Sequence, residues 1–308
     1  MKTALVLGAT GGVGGETARA LLRHGWQVRG LVRNRRAGLD GDIHWFEGDA
    51  LDAAAVLRAA EGVAAIVHAV NPPGYRGWPE QVPAMLANSI AAARANGARL
   101  ALPGTIYNYD PAETPVARPD SPQQARTRKG GIRIEMERSL EQSGVPVLIL
   151  RAGDFYGPRP GNSWLSQGMV KPGEVRSILY PGAKGTGHAW AYLPDVGETF
   201  ARLLDREREL PHFARYHFEG HWDADGRRFI AAIHEALGKE LPVRSMPWWT
   251  LPLIAPFNPT MREMIEMRPY WRHPVRLDNR ELVALLGEEP RTPLVESLVA
   301  TFAALGMH

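Results

Sequence analysis

The chain predicts an α/β fold: a doubly wound parallel sheet with a smaller C-terminal α/β cap. Three observations carry this. Short aliphatic runs without period-two polarity alternate with helical patterns over about the first 150 residues, a glycine cluster separates the first run from the first helix, and the rhythm stops near residue 157. Buried strands are expected at 3–7, 27–32, 43–47, 64–69, 99–102 and 146–150, and helices at 15–23, 53–60, 81–95 and 132–142, the last after a Gly-Gly pair. Strand and helix alternating in this way make right-handed crossovers and one continuous sheet. The Gly157-Pro158-Arg159-Pro160-Gly161 and Lys171-Pro172-Gly173 turns end the pattern. The expected organisation is a dinucleotide-binding domain over 1–157, with 187–207 returning to it, and a cap made mainly from 158–308. Six of the nine tryptophans (164, 190, 222, 248, 249 and 271) lie in that second half, where they suit a cap core or its contact with the sheet.

With 308 residues, 44% apolar and 22% charged, the chain can bury a sizeable core and is too apolar for disorder. Its net charge of +3 is spread without a long one-signed block, so nothing favours a nucleic-acid partner. The absence of cysteine excludes disulfides, thiolate metal sites and a cysteine nucleophile. His212, His217, His221 and His234 lack metal-ligand spacing. The start runs straight into the glycine cluster without a signal-peptide pattern, which reads as cytoplasmic. Residues 245–261 are uncharged and apolar, yet Pro247, Pro252, Pro256 and Pro259 forbid a spanning helix, so no membrane partner is expected.

Gly8-Ala9-Thr10-Gly11-Gly12-Val13-Gly14 lies between strand and helix, the setting in which such a pattern cradles a pyrophosphate. Gly8 permits the tight turn, Gly11 close approach of a phosphate, and Gly14 helix packing on the sheet, while the helix N-terminus favours an anion. The second strand ends Leu31-Val32-Arg33-Asn34-Arg35-Arg36 without the acid that would hold a ribose 2′-hydroxyl, so NADP is expected over NAD, with Arg33 on the 2′-phosphate.

The Gly-x-x-Gly-x-x-Gly frame resembles the Rossmann domain of the short-chain dehydrogenase/reductase superfamily in its extended or atypical branch, similar to epimerases and dehydratases. Further segments share the resemblance: Glu47-Gly48-Asp49-Ala50-Leu51-Asp52, His68-Ala69-Val70-Asn71, Arg151-Ala152-Gly153-Asp154-Phe155-Tyr156-Gly157-Pro158 and Trp190-Ala191-Tyr192-Leu193-Pro194-Asp195-Val196. It implies a cofactor site of Gly8, Thr10, Gly11, Gly12, Val13, Gly14, Arg33, Asp49, Ala50, Ala69, Val70, Asn71, Lys129, Ala152, Gly153 and Phe155. Asp49 would touch adenine or cap the helix from 52, and Asp195 would cap the helix that follows it.

The superfamily's chemistry rests on a Tyr-x-x-x-Lys helix pair with a Ser or Thr at the end of the fifth strand, the lysine lowering the tyrosine pKa. Thr105 suits the hydroxyl, but the tyrosine is missing. Depending on loop length, the pair falls on Ala125/Lys129, Thr127/Gly131 or Lys129/Arg133. Tyr180 and Lys184 match literally, but Pro181 and Gly182 between them break any helix. With five lysines in the chain, Lys129 is the candidate, and Thr105, Tyr107 and Lys129 form the expected catalytic set. Tyr109, Tyr156 or a water on Thr105 are alternative proton sources. The expected function is an NADP-dependent oxidoreductase or epimerase-like enzyme for a small carbonyl or sugar-like substrate. The alternative is a catalytically silent NADP-binding sensor. A homodimer is left open.

Overall fold

The computed structural model describes residues 1–34, 38–39, 41–72, 77–161 and 163–308, without the side chains of 259 and 260. Seven strands form one parallel sheet: β1 (Thr3–Leu7), β2 (Gln27–Val32), β3 (Ile43–Glu47), β4 (Ala65–His68), β5 (Arg99–Thr105), β7 (Val147–Ala152) and β11 (Phe213–His217), in the order β11-β7-β5-β4-β1-β2-β3. The short β6 (Val116–Ala117) lies between β5 and β7 in the chain. Helices α1 (Gly12–Arg23), α2 (Ala53–Ala59), α3 (Trp78–Asn96), α4 (Arg128–Glu141) and α5 (Leu193–Asp205) cover the sheet, α5 lying along α1. β1 and β4 meet where the chain order reverses, and ligands of such sheets bind in the crevice at the carboxyl ends of those strands.

Side chains on the two faces build two cores. Val6, Val67, Leu148, Leu150 and Phe200 pack on one, and Leu5, Ile66, Leu100, Leu102 and Ile149 on the other. Alternate residues of a strand thus enter opposite cores, so the middle of the central strands is apolar, and Arg99, Arg151, His68 and His217 stand at or next to strand ends.

Three helices start earlier than periodicity indicated. α1 begins at Gly12, and α3 at Trp78 behind Gly77 (φ +63°), with Pro79 in the first turn where its missing N–H costs nothing. α4 begins at Arg128 and takes Gly130 and Gly131 inside it. The Thr127 hydroxyl accepts from Gly130 N at 3.0 Å, and a Cβ on Gly130 would stand 2.2 Å from the Tyr107 carbonyl. That glycine is a close-approach residue and not a breaker.

The rest of the chain adds β8 (Asp154–Tyr156), β10 (His188–Tyr192) and β12 (His221–Asp223) as a three-stranded sheet, and pairs β9 (Ile178–Tyr180) with β13 (Val243–Ser245) and β6 with β14 (Arg276–Leu277). Helices α6 (Arg227–Leu237), α7 (Leu251–Ile254), α8 (Pro259–Met267), α9 (Arg280–Leu286) and α10 (Leu294–Leu305) complete it. The cap core is aromatic: Trp190 lies flat on Phe229, ring centroids 3.9 Å apart, and Trp271 is 1% exposed. Among the described residues, no helix is long and apolar enough to cross a membrane, and no cluster suits a metal ion.

Candidate functional site

The turn after β1 leaves no room for side chains. Gly8 has φ +88°, and a Cβ there would meet the Ala69 carbonyl at 2.4 Å; one on Gly14 would lie 2.3 Å from the Gly8 carbonyl. Gly11 N donates to Gly8 O at 2.8 Å and closes the turn. Gly11 is exposed and caps α1 without a side-chain hydrogen bond, and no acid stands in the first turn. The helix therefore presents its leading amides and positive dipole end with no carboxylate across them, which fits a dinucleotide diphosphate. Thr10 is exposed beside the turn, Val13 packs inward on the core, and the backbone of Arg159 and Pro160 crosses within 3.2 Å of a Cβ on Gly12.

Along the rim, Arg33 is exposed at the end of β2; Arg35 and Arg36 lie outside the described residues. Asp49 accepts from Leu51 N at 2.9 Å, whereas Asp52 caps α2 through Ala54 N and Ala55 N, so the cap falls to the second aspartate. Asn88 of α3 pins this loop by donating to the Ala50 carbonyl at 2.9 Å. Ala69 N continues the β4 ladder onto Leu7 O, Val70 is half-buried, and Asn71 is exposed. Asp195 also differs from expectation. It sits within the first turn of α5, and its carboxylate accepts from Thr292 N (2.8 Å) and Thr292 Oγ1 (2.7 Å), tying the C-terminal segment to the helix.

At the other end of the crevice Thr105 faces Ala152 in the β5–β7 register. Its hydroxyl accepts from Tyr107 N at 3.2 Å, capping a single 3-10 turn. Tyr107 is half-buried against Tyr270, whose hydroxyl donates to the Tyr107 and Tyr109 carbonyls at 3.0 and 3.1 Å. The other phenols are committed to packing. Tyr109 is fully buried, accepts from Arg151 Nη1 and bonds His217 Nε2 at 2.9 Å, and burial raises its pKa to about 12. His217 stays neutral, driven down to about 3 by burial and by the Arg151 charge. Arg151 is itself held by Glu137 at 2.9 and 2.5 Å. Tyr156 bonds Ser297 Oγ at 2.5 Å, and burial pushes its pKa far up.

The inner face of α4 carries Lys129, Arg133 and Glu137 one turn apart. Lys129 is 2% exposed, with Nζ 2.9 Å from Glu263 Oε2 and 3.0 Å from the Glu263 carbonyl, and its backbone N donates to Glu266 at 2.8 Å. Its ammonium thus meets the cap helix α8. Arg133 turns toward the end of β4 instead, with Nη2 3.4 Å from Asn71 Oδ1 and the guanidinium 5.3 Å over Trp78. Beneath it His68 is held neutral, its pKa lowered to about 3 by burial first and Arg133 second. From sequence, Arg133 entered only through the Lys129/Arg133 alternative for the helix pair and was not among the expected site residues.

Gly153 passes so close to β10 that a Cβ would stand 2.3 Å from the Ala189 carbonyl, and Phe155 packs on the main core. Beside it Asp154 bonds His188 Nε2 at 2.7 Å, a pair no motif had indicated. Trp164 stands between Trp271 (5.2 Å) and Trp248 (6.1 Å), an aromatic wall facing the Tyr107–Tyr270 pair. The Tyr180/Lys184 match lies on β9 and the turn after it, in the cap.

Residues 8–173, more than half of the chain, match the model of the NAD(P)H-binding family. The chain belongs to that family. This NAD(P)H-binding protein is 31% identical over 175 residues to a 3-diazoavenalumate denitrifying reductase from a Streptomyces species, an alignment covering 51% of the chain and 57% of that relative. The chain thus spans little more than half the length of the curated relative it matches. Solved structures follow nearly its whole length. A putative epimerase from Burkholderia cenocepacia superposes with a TM-score of 0.75 at 18% identity, covering 99% of this chain and 98% of that one. UDP-glucose 4-epimerase from Bifidobacterium longum, in complex with NAD+ and UDP, gives 0.73 at 14% identity over 98% and 97%. The Bordetella bronchiseptica enzyme WbmH, in complex with NAD+, gives 0.72 at 21% identity over 99% and 98%. The fold is that of the extended short-chain dehydrogenase/reductases, as the motifs implied.

Proposed function

We propose that this NAD(P)H-binding protein is an NADP-dependent reductase that delivers hydride to a small, planar, conjugated acceptor. The observation that carries the proposal is the inner face of α4, where Lys129 and Arg133 hold the four-residue spacing at which the superfamily has a phenol and a lysine. Tyr109 and Tyr156 do not supply the missing phenol, since both hydroxyls are bound in packing. Epimerising a sugar requires a base that strips a hydroxyl proton, whereas reduction of an electron-poor acceptor asks little of a proton donor. Tyr107, Tyr270, Trp164 and Trp248 offer flat apolar faces to such a ring. The Streptomyces relative is named for reducing a diazo compound, and a diazonium group accepts hydride without protonation.

The chain's own residues divide the work. Thr10, Gly11, Gly12 and Val13 would bind the diphosphate at the α1 N-terminus, which Gly8 and Gly14 allow to approach. Asp49 and Ala50 would border the adenine, with Ala69, Val70 and Asn71 along the riboses. Arg133, at 3.4 Å from Asn71, is better placed than Lys129 to hold the inner ribose. Lys129, paired with Glu263, would anchor α8 beside the acceptor, and Ala152, Gly153 and Phe155 would border the nicotinamide with Thr105 and Tyr107 on the acceptor side. Bound there, the dinucleotide supplies the hydride. NADP is preferred because Arg33 offers a guanidinium to the 2′-phosphate.

Dissociation constants for NADPH and NADH, followed by turnover of enone, quinone, aldehyde, arenediazonium and UDP-sugar probes, test the proposal. Tighter NADPH and reduction of a conjugated probe are expected, and Arg33→Asp should move the preference toward NADH by about 1–3 kcal/mol. Equal affinities would refute the NADP assignment. Tight binding without turnover of any probe would favour a cofactor sensor, and epimerised UDP-sugar would refute the reductase.

A further inference from the structure

No motif indicated His188, although its partner Asp154 lies in the Arg151–Pro158 segment, and the position of the pair makes it more than a cap-core contact. Thr105 faces Ala152 across β5–β7, the next residue, Gly153, is pressed against Ala189, and the one after, Asp154, bonds His188. Three consecutive residues therefore run from the reactive end of the crevice to this imidazole. Trp271 lies flat on the ring, centroids 3.7 Å apart and 6° from parallel, with Trp190 edge-on at 4.8 Å. The residue before Trp271 is Tyr270, which stands on Tyr107. Ring contacts thus link His188 to Trp271, and Trp271 through Trp164 to the cluster that holds Tyr107, while Ala152, Gly153 and Asp154 join the strand partner of Thr105 to the carboxylate on the imidazole. A histidine stacked and carboxylate-bound in this way cannot swing, and the bond fixes Nε2 on Asp154, leaving Nδ1 for other work.

We propose that His188, oriented by Asp154, is the proton donor for carbonyl acceptors at this site, in place of the tyrosine that the chain lacks. The inference rests on the reductase reading. Hydride from the reduced nicotinamide forms the new C–H bond at the carbonyl carbon as the C=O π pair moves to oxygen. The imidazolium gives its Nδ1 proton to that oxygen, and the ring, left neutral, takes a proton back from water. The dinucleotide is oxidised and the carbonyl becomes an alcohol. Asp154 is a positioning residue that holds the ring through Nε2. Among the described residues, the titratable groups near the ring include Asp223, its register partner on β12, whose carboxylate accepts from Gly226 N and Phe229 N, and Tyr180, at 6.1 Å from Trp271.

Two readouts on the full chain test this. The first needs no turnover: the His188 ring signal, in protein labelled at histidine and assigned by its loss in His188→Gln, should move on saturation with NADP+ and differ again with NADPH, while exposed His44 and His212 stay fixed. The second compares 4-nitrobenzaldehyde, whose alkoxide must be protonated, with benzenediazonium, which takes hydride to give phenyldiazene and then benzene and N₂. His188→Gln should lower aldehyde turnover by about 10²-fold or more, leaving diazonium turnover within about threefold. Asp154→Asn should keep NADPH affinity and lower aldehyde turnover while leaving diazonium turnover nearly unchanged, because the ring loses the carboxylate that holds Nε2. An unmoved His188 signal in cofactor-saturated protein would overturn the proposal, as would equal losses on both acceptors or none on the aldehyde. Inactivity toward both probes, with the signal moving as expected, would count against the reductase reading while supporting the placement of His188.

Discussion

Glu137→Gln is the sharpest probe of what holds the crevice in shape. The Glu137 carboxylate takes Arg151 Nε at 2.9 Å and Nη2 at 2.5 Å, Asn108 Nδ2 at 2.9 Å and Gln123 Nε2 at 3.2 Å. Arg151 is 0% exposed and the Glu137 side chain 4%, so water does not screen the pair. An amide keeps one acceptor and turns an N–H₂ toward the guanidinium, leaving a buried cation without its counter-charge. Removing one partner of such a pair costs about 3–5 kcal/mol. The matched control is Glu135→Gln, because Glu135 and Arg138 pair on the same helix but are 60% and 57% exposed. An exposed pair contributes below about 1 kcal/mol. Urea denaturation of both variants, followed by circular dichroism and with slopes compared, measures the difference. A Glu137→Gln loss no larger than that of Glu135→Gln would refute the reasoning. Because Arg151 leads directly into Ala152 and Gly153, weakened NADPH binding should accompany the loss.

Gly8→Ala and Gly14→Ala should each reduce dinucleotide binding sharply, since their Cβ atoms would fall 2.4 and 2.3 Å from carbonyl oxygens, whereas Gly11→Ala, meeting only Gly8 O at 3.2 Å, should keep the melting temperature and weaken binding alone. Titration with NADPH beside thermal melts separates these, and intact binding in Gly14→Ala would contradict the packing argument. Tyr107→Phe, Tyr109→Phe and Tyr156→Phe should each leave kcat within about tenfold, short of the 10²- to 10⁴-fold expected for a lost general acid; Tyr109→Phe and Tyr156→Phe should instead lower stability. A collapse of kcat in any one of them with cofactor affinity intact would show that a phenol does the work. Stability should also fall on acidification. His68 and His217, at about 3, and His221, at about 4, are depressed below the usual 6.5, so the unfolded chain takes up protons first as pH drops. Their contribution is whole above about 6.5 and is lost toward 4, at roughly 1 kcal/mol per histidine per pH unit, and His217→Gln should flatten that slope in denaturant midpoints taken from pH 7 to 4.5.

The strands, the phosphate turn and the family were legible in residues close together along the chain. A parallel strand buried on both faces is apolar along its middle, and a turn that presses backbone on backbone must be glycine, so Leu5, Val6, Gly8 and Gly14 carry their structural reasons in their own chemistry. Helix starts were less legible, because what placed Gly130 inside α4 was the Tyr107 carbonyl, more than twenty residues away. The direction of each charged group in the site was decided only by tertiary contact. Lys129 and Arg133 share one helix face and one charge, yet Glu263 on α8 draws the first toward the cap, and Asn71 beyond β4 meets the second. Likewise, Asp154 and His188 lie 34 residues apart and become a pair only when β8 and β10 align in parallel. Local sequence can specify backbone conformation because sterics act over a few residues, but the partner of a buried charge is whatever the fold brings within about 3 Å of it.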